Sequence, residues 1–194
     1  MRTGRQRPAR LAGRAVAIVA ALASLPACAA IHENTRVVCR YGSPIVLMAQ
    51  SVPGASLLPC VRSLPAGWHF DGFAAATGQS RFWLDSDTSG RRALEVVLER
   101  RCPTARAQRS KSDEPHTRLF ERVDQRRPVY LAEWFYRFDG GCATYRFVLA
   151  ARSSSVLRQV RNGVSFIPRR TVSAAYRARV RRPLDPPSSG SETA

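Results

Sequence analysis

The first thirty residues constrain everything that follows them, because they decide the compartment in which the rest of the chain folds. Arg2, Arg5, Arg7, Arg10 and Arg14 occur with no acid among them and lead into the apolar run Ala15 to Ala30, the charge-then-apolar order of a secretory signal. Export is therefore expected. The processing has three readings. Leu25-Pro26-Ala27-Cys28 resembles a lipobox with Cys28 as the lipidated residue, though Pro26 fits it poorly, and Ala27-Cys28-Ala29 offers the small-x-small pattern of ordinary signal peptidase. The 17 residues from Ala15 to Ile31 also reach the short edge of a membrane-spanning length, so an uncleaved anchor is the third reading. Lipoprotein and anchor rank together, ahead of free secretion, and place the chain at the extracytoplasmic face of the cell membrane.

Export fixes the reading of the cysteines. With Cys28 removed or lipidated, Cys39, Cys60, Cys102 and Cys142 remain, an even set in a compartment that permits disulfides. Of the three possible connectivities, Cys39 with Cys60 and Cys102 with Cys142 is preferred, because each bridge closes a loop within one apparent structural unit. A zinc site is disfavoured: no Cys-x-x-Cys occurs, and His32, His69 and His116 are scattered.

Five of the 31 basic residues precede Ala29 and all 14 acids follow it, so the exported part carries a net charge of +12. Outside the membrane the polyanions available to such a surface are lipid head groups and anionic wall polymers, and no nucleic-acid partner is expected. Thirty of the 31 basic residues are arginine, the usage that high-GC coding produces, so much of this charge also reads simply as solvated surface.

The expected organisation is a leader at 1–30, a tether at 31–42, a single α+β domain at 43–180 and a disordered tail at 181–194. Within Ser43 to Gly67 four prolines, Pro44, Pro53, Pro59 and Pro65, divide the chain into short extended or single-turn pieces. Strands are expected at Trp68 to Ala75, Arg81 to Asp85 and Ala93 to Arg101, the last with Leu94, Val96 and Leu98 alternating against Glu95, Val97 and Glu99. The clearest hairpin joins Val129–Phe138 to Cys142–Ala150 through Asp139-Gly140-Gly141. A Gly140-Gly141 turn sets Trp134 opposite Phe147, Tyr136 opposite Tyr145 and Phe138 opposite Ala143; an Asp139-Gly140 turn changes the partners but keeps the aromatics on one face. That face reads as core, and the face with Glu133, Arg137, Thr144 and Arg146 as solvated. Pro103 to His116 reads as a polar, basic loop, and Thr117 to Val123 is either helix or strand. Val156, Val160 and Val164 at spacing four predict a short helix capped by Ser154 or Ser155 and weakened or ended by Gly163; Pro168 opens another in which Val172, Ala175 and Tyr176 share a face. The expected architecture is thus an antiparallel sheet of about five strands with a C-terminal αα-hairpin on one side.

The runs Leu58 to Phe73 (LPCVRSLPAGWHFDGF), Arg81 to Asp87 (RFWLDSD) and Phe138 to Phe147 (FDGGCATYRF) resemble a group of small exported or membrane-anchored proteins of high-GC bacteria. The resemblance covers roughly Ala49 to Leu149. It implies a shared architecture and brings no activity and no functional residue with it.

The chemical motifs are incomplete. Asp85, Asp87 and Ser89, with Gly90, match the first half of a calcium loop, but position 12 is Val96, and the turn chemistry of Asp and Ser accounts for the same residues. Nucleophile-elbow, metalloprotease, phosphate-loop and dinucleotide signatures are absent, and no cofactor is implied. Asp71, Asp85, Asp87, Glu95, Glu99 and Glu133 are the candidates for a two-carboxylate hydrolase. His69, between Trp68 and Phe70, is expected at a surface or edge. Arg169, Arg170, Arg177, Arg179, Arg181 and Arg182 form a candidate surface for anionic lipid or wall polymer. The leading expectation is a non-catalytic, membrane-associated domain that binds another envelope component, protein or surface. A small carboxylate-dependent envelope hydrolase and an electrostatic binder of anionic lipid or wall polymer are the alternatives.

Overall fold

The computed structural model describes residues 36–180. The leader, Cys28 and His32, and Arg181, Arg182 and the C-terminal tail lie outside the described residues. Among the described residues no helix is long and apolar enough to cross a membrane.

The chain runs α1 (Ser43–Ser51), β1 (Leu57–Val61), β2 (Trp68–Ala76), β3 (Gln79–Ser86), β4 (Gly90–Glu99), β5 (Gln108–Ser110), β6 (Arg118–Gln125), β7 (Tyr130–Phe138), β8 (Gly141–Leu149), α2 (Ser154–Gly163), β9 (Val164–Pro168) and α3 (Arg169–Val180). Seven strands form one antiparallel sheet in the order β2-β3-β4-β8-β7-β6-β5, and β1 pairs with β9 in a second, two-stranded sheet. The class is α+β, with more strands than expected. Thr117 to Val123 resolves as strand β6, and the basic loop contributes the short edge strand β5.

The inner face of the large sheet carries the core. Phe82, Leu84, Leu94, Val96, Leu98, Tyr145 and Phe147 are essentially inaccessible. The small sheet covers this face, with the Phe166 ring of β9 5.4 Å from Tyr136 and 6.3 Å from Tyr145, and Val160 of α2 and Val172 of α3 join the same cluster. Burial of such side chains stabilises by about 1.5–3 kcal/mol each.

Three expectations are corrected. Between Pro44 and Pro53 the chain forms a nine-residue helix, longer than a single turn, because Pro44 sits where a helix start tolerates it and Ile45, Met48 and Ala49 find the core. The C-terminal helices form no αα-hairpin, because Val164 to Pro168 pairs antiparallel with Leu57 to Val61, so that Val164 belongs to a strand and α3 starts from β9. Here sheet pairing overrides the spacing of four. The cap of α2 is Ser153, whose side chain accepts from the Val156 N–H. Residues expected as tether also pack in: Val37 is fully buried and Cys39 donates its N–H to Val61 O at 3.1 Å.

The β7–β8 turn is Asp139-Gly140, which places Trp134 opposite Tyr145, Tyr136 opposite Ala143 and Phe138 opposite Gly141. The pairs Trp134–Phe147 and Tyr136–Tyr145 still meet on the diagonal, with ring centroids 4.6 and 4.9 Å apart. Glycine is required at 140, where φ is +66° and an added Cβ would lie 1.7 Å from Gly54 O. Both disulfides pair as preferred, Cys39 with Cys60 and Cys102 with Cys142, at Cα separations of 4.9 and 5.7 Å.

Candidate anion-binding groove

The outer face of the sheet is less solvated than its polar side chains suggest, because Trp83, Val97, Phe135 and Thr144 are buried there. One row of this face runs in direct register across five strands: Trp83, Glu95, Arg146, Glu133 and Arg122. Arg146 bonds Glu95 at 3.0 Å and Glu133 at 3.1 Å, Glu133 also pairs with Arg122, and Glu95 accepts from Trp83 Nε1 at 3.1 Å. Burial depresses the Arg146 guanidinium, but its bonds and attraction to Glu95 and Glu133 outweigh that and hold it above its usual range. Alternating charges opposite one another stabilise a sheet, and their alkyl stems shield the apolar layer beneath.

This row uses Glu95 and Glu133, and the remaining candidate carboxylates are occupied elsewhere. Asp71 pairs with Arg92 at 3.1 Å and Arg91 at 3.6 Å, Asp85 accepts from the Arg92 backbone N–H, and Glu99 lies 3.5 Å from Thr144 Oγ1. Asp87 meets His69 Nε2 at 2.8 Å with both side chains exposed, and His116 lies in the loop before β6. The Asp85 to Gly90 segment is the β3–β4 turn, where Ser89 Oγ accepts from the Ala150 N–H. Among the described residues no group of three or more His, Cys, Asp or Glu side chains gathers as a metal site would require.

Among the described residues, the candidate C-terminal arginines point in different directions. Arg169 is 8% exposed and donates to the carbonyls of Ala49 and Val52 at the end of α1. Arg170 and Arg177, seven residues apart, share an exposed face. Arg179 falls on the other side of α3 and stacks on the Tyr41 ring at 4.5 Å.

Arginines converge instead between α2 and the β5–β6 edge of the large sheet, around a cavity of about 520 Å³. Arg106 and Arg109 come from the segment leading into and through β5, Arg126 from just after β6, and Arg152 and Arg158 from just before α2 and from its body. Arg106 holds a left-handed backbone (φ 62°), a costly conformation for a residue with a side chain. Tyr130, Trp134 and Leu157 line the same cavity. Arg161 is engaged, pairing with Asp113 at 3.1 Å and Glu121 at 3.7 Å and lying over the Trp134 ring at 5.0 Å. Arg106, Arg109, Arg126, Arg152 and Arg158 make no ion pair among the described residues. A second cavity of about 730 Å³ shares Arg126 and Arg152 and adds Arg127, extending the groove towards the β6–β7 turn.

These residues escape a linear reading because they come from three separate stretches of the chain, around β5, after β6, and before and within α2. The one local signal is Arg126-Arg127-Pro128, two cations at a turn. Chemically, arginine forks gathered on a concave surface bind phosphate or carboxylate groups through paired, charge-assisted hydrogen bonds. Compared with known proteins, the chain matches no family model, no curated protein and no solved structure, so the groove is read from its own residues.

Proposed function

We propose that this chain is a non-catalytic, exported, membrane-associated domain that binds an anionic polymer of the cell envelope along the arginine groove. The observation that carries this reading is the set of five arginines around one concave surface that make no ion pair among the described residues, whereas Arg122 and Arg146 on the outer face of the sheet each meet a register-matched acid. Leaving like charges clustered costs stability, and a polyanion relieves that cost when it binds. Export and membrane association rest on the leader read from the sequence.

A chain-like polyanion suits the site better than a flat acidic bilayer. A bilayer does not follow a concave groove, and the exposed large apolar side chains, Val123, Val148 and Val180, supply no aromatic anchor for insertion. The hydrolase reading gains no support, since the candidate carboxylates lie on strand faces and turns in bonds to arginine, histidine, threonine or backbone.

The test is the binding of a soluble polyanion, such as a poly(glycerol phosphate), to the full chain. An Arg126→Gln, Arg152→Gln, Arg158→Gln variant is expected to lose affinity by at least about tenfold, since a charge-assisted hydrogen bond contributes about 1.5–3 kcal/mol. Unchanged affinity in that variant overturns the reading, as does stronger binding to acidic liposomes than to the polymer.

A further inference from the structure

The outer-face rule that each arginine meets an acid fails at one end of the sheet. Arg118 of β6 stands directly opposite Arg137 of β7, and neither makes an ion pair among the described residues. Like charges placed directly opposite destabilise a strand pair. Beside Arg137 opens a cleft of about 550 Å³ into which Arg100 and Arg101 also face, lined by the β7–β8 turn, Gly54 and the Cys102–Cys142 bridge. Arg100 and Arg101 are exposed and likewise unpaired among the described residues, and Asp139 is the one acid in the lining.

The groove and this cleft lie towards different ends of β7. Tyr130 and Trp134 line the groove and Phe138 lines the cleft, so four to eight residue steps of extended strand, about 13–27 Å, separate the two linings. A small anion does not reach both.

We propose that the cleft of Arg100, Arg101 and Arg137 is a second, independent site for phosphate-bearing anions, which makes the domain bivalent and lets it hold two segments of anionic polymer together. Bivalency rests on the groove reading above, whereas the cleft itself stands on the unmatched Arg118–Arg137 pair and its own lining. Its effect is a gain in avidity for long chains and cross-linking between chains, with no new contact at either site.

Calorimetry with tripolyphosphate, too short to span the two sites, tests this on the full chain. The parent is expected to bind two equivalents, and Arg100→Gln, Arg101→Gln and Arg126→Gln, Arg152→Gln double variants one each, with circular dichroism confirming that all remain folded. Long-chain polyphosphate is expected to produce light scattering with the parent, and at least tenfold less with either variant. One equivalent in the parent, or two retained in Arg100→Gln, Arg101→Gln, overturns the second site. If instead the Arg126→Gln, Arg152→Gln variant keeps both equivalents while the cleft variant loses one, the cleft stands and the groove reading fails.

Discussion

At the scale of single residues, one buried and one half-buried group depart from what their chemistry suggests in sequence. Arg169 reads as a surface cation, yet it donates to the carbonyls of Ala49 and Val52 at the C-terminal end of α1, where the last carbonyls lack helical N–H partners. Arg169→Met is therefore expected to lower unfolding free energy by about 1.5–3 kcal/mol in denaturant titrations, with Arg170→Met close to neutral. Glu114, in the loop before β6, has its carboxyl pushed above the ordinary 4.5 by burial, against the weaker pull of a Ser165 hydrogen bond and the Arg62 charge. A raised carboxyl binds its proton more tightly in the folded state. Its contribution is complete below the ordinary value and is lost as pH rises through the raised one. The difference in Tm between the parent and Glu114→Gln is expected to be smallest on the acid side and to grow, in the variant's favour, as pH rises through that window; a constant difference contradicts the assignment.

At the scale of elements, the crossing from β4 to β5 does most to determine the site. The chain leaves β4 near the middle of the sheet and reappears at the far edge, and Cys102 fixes the start of that crossing to Cys142 on β8. The same segment presents Arg106 to the groove, and its Ala105 carbonyl accepts from Arg122 at 3.4 Å. The bridge spans a sequence separation of 40, so loop entropy gives it about 4 kcal/mol. A Cys102→Ser, Cys142→Ser variant is expected to lose about that much stability. In the fraction that stays folded, polyanion affinity is expected to fall as well, because Arg106 is no longer held; unaltered affinity separates the staple from the site.

For the whole molecule, a net charge of +12 from Ala29 onward means that the folded state bears its own repulsion. A polyanion that binds only the folded state raises stability by about 2.7 kcal/mol at a hundredfold excess over Kd. Polyphosphate is therefore expected to raise the Tm of the parent at low ionic strength. The rise is expected to shrink as added salt shortens the screening length to about 3 Å at 1 M, and to be smaller in the groove variant at every salt concentration. A Tm shift indifferent to salt contradicts an electrostatic site.

The sequence by itself determined the features set by local chemistry. Alternation fixed the inward face of β4, with Leu94, Val96 and Leu98 buried, Asp139 with two glycines marked the β7–β8 turn, and cysteine parity with loop economy paired both bridges. These are interactions between neighbours in the chain or within one unit, where period and turn chemistry act directly. Tertiary structure alone decided whether Val164 to Pro168 is helix or strand, since its partner Leu57 to Val61 lies about a hundred residues earlier. It also decided which arginines are neutralised. Arg146 and Arg122 meet acids across strands, Arg169 is taken by the end of α1, and Arg106, Arg126, Arg152 and Arg158 are left together in one groove. The physical reason is that an arginine's partner is set by the register of strands distant in sequence, whereas its charge is set by the residue itself.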